Sequence, residues 1–231
     1  MTVEPLFDAM CIGAHPDDVE IGMGATIAGM VRRGRKVVMV DLTNGEPTPH
    51  GTPEKRAVES AAAARVLGAE RRMLAQPNRY LMDTVAARTE LAEIIREYRP
   101  RTLFVPYAQD THPDHIAASA IAVAARFYAK FTKTEMAGEP FFPDRIYRYM
   151  AVHMRVIAEP SFIVDVTPDL PTKLEALAAY RSQFVDNVGN AGIIELMEQQ
   201  AAMWGALGRV PLGEPFFALE PVALRSVEDL I

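Results

Sequence analysis

Two short clusters combine histidine with aspartate in a pattern suited to metal chemistry. Residues 15–18 read His-Pro-Asp-Asp and residues 112–115 read His-Pro-Asp-His, and together they hold three of the chain's 5 histidines. Two neutral imidazoles and one carboxylate, with a water in the open position, make a catalytic zinc site. Zinc lowers the pKa of its bound water towards about 7, and a second carboxylate must then take the proton. The first cluster supplies a ligand and a base on one tight turn, so the pattern predicts a hydrolytic metal centre.

Each cluster taken alone also has a purely structural explanation. A histidine near a strand end is often only a hydrogen-bonded residue, and Asp-Asp after a strand often caps a helix. Two His-Pro-Asp clusters, each following a predicted strand, favour a shared site over two unrelated structural roles.

The surrounding sequence predicts the elements that position these clusters. Apolar runs alternate with helical patterns in the first half of the chain, which is typical of βαβ units and a parallel sheet. The pattern changes after Lys130 and predicts an α+β extension. We therefore predict an α/β fold, a doubly wound, mostly parallel, Rossmann-like sheet in one domain, with a core over 1–130 and an extension over 131–231 that lines the pocket. Predicted strands cover 9–13, 36–42, 72–75, 102–106, 145–152 and 162–166, and predicted helices cover 22–33, 53–68, 91–98 and 170–177.

The placement of the clusters predicts that they meet. In open α/β sheets, ligands bind beyond the carboxyl ends of the strands. Both clusters follow such ends, so residues about 100 positions apart in sequence are expected to converge.

Composition and charge narrow the possible partners. The 231 residues carry a net charge of −6, with a pI near 5.4, which disfavours nucleic acid and anionic membranes. A single cysteine, Cys11, cannot form an internal disulfide. The sequence shows neither a signal-peptide pattern nor an apolar run of about 18 residues. We therefore expect a cytoplasmic protein that acts on a small molecule.

The two clusters resemble the signatures of a known enzyme family. Residues 14–18 (Ala-His-Pro-Asp-Asp), with Glu20 and Gly22, resemble the first signature of the LmbE-like, or PIG-L, zinc-dependent de-N-acetylases, and residues 112–115 resemble the second. The resemblance extends to 41–43, 51–56, 106–107 and 180–184, so it spans nearly the whole chain. Within the family, the chain looks most similar to the bacillithiol-biosynthetic branch, which deacetylates N-acetylglucosaminyl L-malate.

The resemblance implies a role for each residue of the clusters. His15, Asp18 and His115 match the zinc ligands, and Asp17 matches the general base. His112 matches the residue that, as an imidazolium, stabilises the oxyanion or protonates the leaving amine. This division of labour suits amide hydrolysis, in which negative charge develops on the carbonyl oxygen and the departing nitrogen needs a proton.

Other residues are predicted to support the site or to contact the substrate. Asp114 is expected to orient one of the histidines, although the sequence does not say which one. Arg56, Arg79 and Gln183 are the predicted substrate-binding residues. The spacing of Arg56 is explained equally well if it is a solvent-exposed residue on a helix. Asn78 departs from the Asp that usually precedes this second arginine in the branch.

The resemblance also implies a cofactor and an assembly. The expected cofactor is Zn²⁺, with other divalent ions such as Fe²⁺ as alternatives, because affinity series alone do not decide metal identity. The expected partner is an amino-sugar substrate. Relatives commonly form homohexamers, so a homo-oligomer is expected.

Several competing functions use the same residues. Asp41 at the end of the second strand would suit a nucleotide-binding Rossmann fold, but the first turn lacks the G-x-G-x-x-G pattern. A non-haem iron enzyme also uses a His, Asp and His triad. A binding protein with a structural zinc would need a fourth ligand that the clusters do not supply. Deacetylation of a chitobiose-like or mycothiol-type sugar is the alternative within the family.

Overall fold

A seven-stranded sheet with helices on both faces forms the core of the described structure. The structure is a computed structural model that describes residues 4–150, 153, 157–190, 192–224 and 226. The strands are β1 (Phe7–Gly13), β2 (Val37–Asp41), β3 (Glu70–Met73), β4 (Pro100–Pro106), β5 (Arg145–Tyr149), β6 (Phe162–Asp165) and β7 (Gly213–Ala218). The α-helices are α1 (Asp18–Arg32), α2 (Pro53–Leu67), α3 (Val85–Tyr98), α4 (Pro113–Tyr128), α5 (Leu170–Ala178), α6 (Arg181–Phe184) and α7 (Ile193–Gly208).

The strand order confirms a doubly wound, mostly parallel sheet. The order across the sheet is β3-β2-β1-β4-β5-β7-β6, and β1 to β5 run parallel. The chain moves outward from β1 to β3 and then returns to the other side of β1 for β4. In the C-terminal segment, β7 pairs antiparallel with β5, and β6 at the edge pairs antiparallel with β7. The extension therefore continues the core sheet.

Alternation along β1 divides the core between the two faces. Met10 and Ile12 point into a cluster with side chains of α3 and α4, whereas Ala9 and Cys11 point into a cluster with side chains of α1, α2 and α5. All four side chains are fully buried. A central parallel strand covered on both faces carries a continuous apolar run for this reason.

Helix ends follow the local chemistry that the sequence predicts. Thr52 caps α2 by accepting a hydrogen bond from the backbone N–H of Lys55 at 3.3 Å, and Pro53 occupies the first helical position. Gly68 ends this helix with a φ of 71°, in the left-handed region that glycine adopts without strain. The helix predicted over 53–68 is confirmed.

The first helix begins earlier than predicted. It begins at Asp18, not at residue 22, because the backbone N–H of Ile21 donates to the carbonyl oxygen of Asp17 at 2.9 Å and closes a turn directly after the first cluster. The helical path breaks at Met23, where φ is −153°. Gly22 lies against the Tyr149 ring, and a Cβ there would approach Cδ2 of Tyr149 to 2.3 Å. Gly22 thus permits close packing of this turn on β5.

Two strand predictions are shifted. The strand predicted over 72–75 is Glu70–Met73, because pairing with β2 sets its register and because Arg71 points inward to buried carboxylates. The strand predicted over 145–152 ends at Tyr149, and residues 151 and 152 lie outside the described residues. Among the helices in the described ranges, none is both long enough and apolar enough to cross a membrane.

Candidate metal-dependent active site

The two His-Pro-Asp clusters meet at the carboxyl edge of the sheet. The first follows β1 and the second follows the loop after β4, and these strands are neighbours. The winding of the sheet reverses between β1 and β4, which leaves a crevice where parallel α/β sheets bind ligands. The convergence expected from the sequence is therefore present in the structure.

Three side chains of the clusters lie at the spacing of metal ligands. Nδ1 of His15 is 3.3 Å from Nε2 of His115, and Asp18 places Oδ2 3.3 Å from the first nitrogen and Oδ1 3.2 Å from the second. Tetrahedral ligands held about 2.0–2.1 Å from zinc lie roughly 3.3 Å from one another. The side chains of His15, Asp18 and His115 are therefore arranged to hold a divalent metal ion.

Two further carboxylates hold the histidines in the required tautomers. Oδ2 of Asp114 lies 3.2 Å from Nε2 of His15, and Oδ2 of Asp110 lies 2.8 Å from Nδ1 of His115. Because each outer nitrogen can donate its proton to a carboxylate, the nitrogen that faces the site keeps a free lone pair. The histidine that Asp114 orients is thus His15.

Asp110 is a functional candidate that the sequence reasoning missed. It lies in the loop after β4, five positions before His115 and outside the His-Pro-Asp-His motif. Its other oxygen accepts the backbone N–H of His112 at 2.9 Å, so it also shapes the turn into α4. A carboxylate in the same strand-end loop as a predicted histidine ligand was the signal that could have found it.

The carboxylates around the two histidines favour a positive charge at the site. Burial lowers the pKa of His115, but the carboxylates of Asp18 and Asp110 outweigh burial and raise it to about 10. Burial also lowers the pKa of His15, but the carboxylate of Asp18 outweighs burial, so the pKa is raised. The two histidines in turn hold the pKa of Asp18 well below its usual range, against the effect of burial. A cation between these groups satisfies all of them.

A second grouping of possible ligands is less suitable. His15, His112 and Asp114 also lie close enough to share an ion. However, Nδ1 of His112 accepts the backbone N–H of Asp114 at 3.1 Å, and Asp114 accepts the backbone N–H groups of Arg79 and Leu81 at 2.6 and 3.3 Å. These lone pairs are engaged, so the first grouping is the better metal site.

Asp17 lies beside the metal ligands in a backbone conformation that is rare for aspartate. Its φ is 105°, and Arg56 donates from Nη1 to its Oδ2 at 3.2 Å. Burial raises the pKa of Asp17 to about 6, although Arg56 acts to lower it. A carboxylate with a pKa in this range can accept a proton near neutral pH.

His112 differs from the expected imidazolium. Its Nδ1 accepts the backbone N–H of Asp114, so Nε2 carries the proton in the neutral ring. Burial, together with the neighbouring charges of His115 and His15, lowers its pKa. His112 is therefore arranged as a neutral hydrogen-bond donor.

His153 also faces this site, although the sequence reasoning left it out of the ligand set. Its ring stacks on His112 at 5.8 Å with an interplanar angle of 13°, and on His115 at 5.4 Å with an angle of 16°. His153 follows β5, which lies next to β4 in the sheet. Its position after a predicted strand was the signal in the sequence that it could reach the site.

The three predicted substrate-binding residues line one cavity of about 390 Å³ above the metal ligands. Arg79 is exposed, and its Nη2 donates to the carbonyl oxygen of Pro47 at 2.7 Å. Gln183 donates from Nε2 to Oγ1 of Thr48 at 3.2 Å. Arg56, by contrast, is only 2% exposed. The cavity is large enough for a small sugar derivative.

Asp41, which favoured a nucleotide-binding function, is engaged within the protein. It is fully buried, and Arg71 donates to its two carboxylate oxygens at 2.6 and 2.7 Å. The acid at the end of β2 thus has a structural partner and no surface for a ribose.

Two imidazoles and a carboxylate, with a second carboxylate beside them at the switch point of an α/β sheet, define a metal-dependent hydrolase. Comparison with known proteins specifies the class. Residues 10–126 match the family described as PIG-L, GlcNAc-PI de-N-acetylase. The chain belongs to this family, and it is an N-deacetylase that hydrolyses an amide carbon–nitrogen bond.

Individual relatives extend the similarity beyond the family match. The diacetylchitobiose deacetylase of Thermococcus kodakarensis is 29% identical over 202 residues, which cover 80% of this chain and 74% of that protein. A 1D-myo-inositol 2-acetamido-2-deoxy-alpha-D-glucopyranoside deacetylase of Catenulispora acidiphila is 30% identical, and the match covers 75% of this chain and 79% of that protein. A conserved protein from Thermus thermophilus has a crystal structure with a TM-score of 0.86 and 38% identity, covering 94% of this chain and 97% of that one. These similarities support membership in the family and do not distinguish the malate-specific branch from the others.

Proposed function

We propose that this protein removes the acetyl group from an N-acetylglucosamine-containing substrate, releasing acetate and a free amine. The observation that carries the proposal is the placement of Asp17 beside the three convergent ligand atoms, at the floor of a 390 Å³ cavity. A base, a metal site and room for a sugar are the three requirements of this reaction.

His15, Asp18 and His115 would hold a zinc ion. Bound there, zinc would lower the pKa of a water molecule and polarise the acetyl carbonyl. Asp110 and Asp114 keep the two imidazoles oriented, so the ligand set needs little reorganisation. Fe²⁺ suits the same two nitrogens and carboxylate and is the alternative metal.

Asp17 accepts the proton of the attacking water, and His112 donates a hydrogen bond to the oxyanion. The raised pKa of Asp17 matches a base that works near neutral pH. The Nε2–H of His112 is the group suited to donate to the developing oxyanion. The departing nitrogen then takes from Asp17 the proton that the attacking water gave up.

For the rest of the substrate we propose malate, as in N-acetylglucosaminyl L-malate. An exposed guanidinium at the cavity rim, that of Arg79, supports this choice because it can bind a carboxylate through two hydrogen bonds. The relatives named for chitobiose and inositol-linked sugars make those two substrates the direct alternatives.

Three further proposals rest on the resemblance and the composition. We propose a homohexamer, which light scattering would measure. We propose that the chain acts in the cytoplasm as one domain, with its single cysteine, Cys11, fully buried. Unfolding in a single transition, followed by two spectroscopic probes, would support one cooperative unit.

A substrate panel tests the proposed function. Zinc-loaded protein is incubated with N-acetylglucosaminyl malate, N-acetylglucosamine, diacetylchitobiose and N-acetylglucosaminyl inositol, and acetate and primary amine are measured. We expect the highest kcat/KM with the malate compound. Faster turnover of the inositol or chitobiose compound would reject malate but keep the deacetylase, and no acetate from any of the four would reject an N-acetyl sugar as substrate.

A further inference from the structure

The guanidinium of Arg56 holds the turn that carries Asp17 from two sides. Nη1 donates to Oδ2 of Asp17 at 3.2 Å, and Nη2 donates to the carbonyl oxygen of Pro16. One planar group therefore bonds both the carboxylate and the peptide that precedes it. Since the φ of Asp17 is 105°, where aspartate is rarely found, the turn needs such contacts to persist.

The rest of the guanidinium is enclosed by protein. Nε is buried without a hydrogen bond among the described residues and lies 3.9 Å from Oε1 of Glu46. Cζ lies 5.4 Å from the centre of the Tyr180 ring. Gly45 lies so close that a Cβ there would come within 2.8 Å of Nη2. Arg56 thus has little surface left for a ligand, although it borders the cavity.

Tyr180 connects the guanidinium of Arg56 to the first turn of α1. Its hydroxyl donates to Oε1 of Glu20 at 2.7 Å, and Glu20 is on the same helix that begins after Asp17. The ring that packs on Arg56 is therefore itself held by a buried hydrogen bond. Through this contact, Tyr180 in the C-terminal half of the chain supports the position of Asp17, the proposed general base.

We propose that Arg56 is a positioning residue for Asp17 and does not bind the substrate. This rests on the proposed function, because it assigns how the base of that reaction is aimed. Its planar fork fixes the directions of the hydrogen bonds to the carboxylate and the carbonyl, whereas the three donors of a lysine ammonium rotate at the end of a flexible stem. Arg79, exposed at the cavity rim, is the arginine left to meet the substrate.

Steady-state kinetics of Arg56→Ala and Arg56→Lys, with Arg79→Ala as the matched arginine variant, test this role. For both Arg56 variants we expect kcat to fall about 100-fold while KM changes by less than about threefold, because substrate binding is untouched. For Arg79→Ala we expect KM to rise about tenfold or more with a smaller change in kcat. Zinc content should equal that of the wild type in all three.

Chemical rescue separates positioning from a general loss of structure. Methylguanidinium added to Arg56→Ala should raise kcat several-fold, whereas methylammonium at the same concentration should not. If Arg56→Ala does not fold, Arg56→Lys carries the kinetic test. A tenfold rise in KM at unchanged kcat in either Arg56 variant would overturn the proposal, because that pattern belongs to a substrate contact.

A measurement without substrate distinguishes this proposal from the proposed function. If the wild type releases no acetate from the panel, the proposed function has failed, and the role of Arg56 is then read from amide hydrogen exchange of zinc-loaded protein. Segment 14–20 should exchange at least about tenfold faster in Arg56→Lys than in the wild type. Unchanged exchange in that segment would contradict the positioning role.

Discussion

At the scale of single residues, the site depends on which nitrogen or oxygen of each side chain is already engaged. His15 and His115 each use the outer nitrogen on a carboxylate and leave the inner one free. His112 uses Nδ1 on a backbone N–H and keeps a donor. The proposed ligand roles of His15 and His115 and the proposed donor role of His112 thus agree with the hydrogen bonds around the site.

Asp17→Asn should remove most of the activity without removing the metal. An amide cannot accept the proton of the attacking water, so kcat should fall about 10²- to 10⁴-fold. Acetate release and zinc content measure the two effects. Glu198→Gln, an exposed carboxylate change on α7, serves as control. Turnover near that of the wild type would show that another group is the base.

Asp110→Asn should weaken the metal site while keeping its ligands. Loss of the carboxylate on Nδ1 of His115 should reduce zinc affinity about 10- to 100-fold. Competition with a chromogenic chelator measures this affinity. His115→Ala, which removes a ligand, should lose the ion altogether. Wild-type affinity in Asp110→Asn would mean that this carboxylate does not tune the site.

At the scale of elements, a buried ion cluster ties the sheet to the helix that carries the first motif. Arg71 on β3 donates to Asp41 on β2 at 2.6 and 2.7 Å and to Glu20 on α1 at 2.5 Å. Burial raises the pKa of Asp41 even with this partner. The carboxylates are costly to bury, so their cation holds three elements together.

Arg71→Met should therefore destabilise the fold strongly. Two carboxylates would remain buried without their cation, and the free energy of unfolding should fall by about 3–5 kcal/mol. Urea unfolding followed by circular dichroism measures the change. Arg72→Met, the exposed neighbour on the same strand, is the matched control and should change stability by less than about 0.5 kcal/mol. Equal effects of the two substitutions would refute the role of the cluster.

At the scale of the whole molecule, the pocket is closed by segments from both halves of the chain. Gln183 of α6 bonds to Thr48 in the loop after β2, and Arg79 bonds to Pro47 in the same loop. The metal site lies beneath these contacts, between the loops after β1 and β4. Occupation of the site should therefore stabilise the entire fold.

Removing the metal should lower the melting temperature. An ion present at about 1,000 times its Kd stabilises the folded state by about 4 kcal/mol, which corresponds to roughly 10 °C for a chain of this size. Calorimetry before and after treatment with a chelator measures the shift. His115→Ala should show no shift on chelation. A shift of equal size in that variant would locate the stabilising ion elsewhere.

The sequence by itself determined the fold class and the two clusters of the site. Apolar runs and helix caps depend on neighbouring residues, so strands, helices and the positions of the His-Pro-Asp motifs could be read locally. The identity of Asp17, Asp18 and the histidines as candidates followed from residue type and from the family resemblance.

Only the tertiary structure decided how the site is supported. Asp114 as the partner of His15, Arg56 as the partner of Asp17 and the stacking of His153 on His112 join segments that come together only when the sheet forms. The shift of β3 has the same origin, since its register depends on β2 and on two buried carboxylates. Long-range pairing carries no local signal, whereas the chemistry of each side chain does.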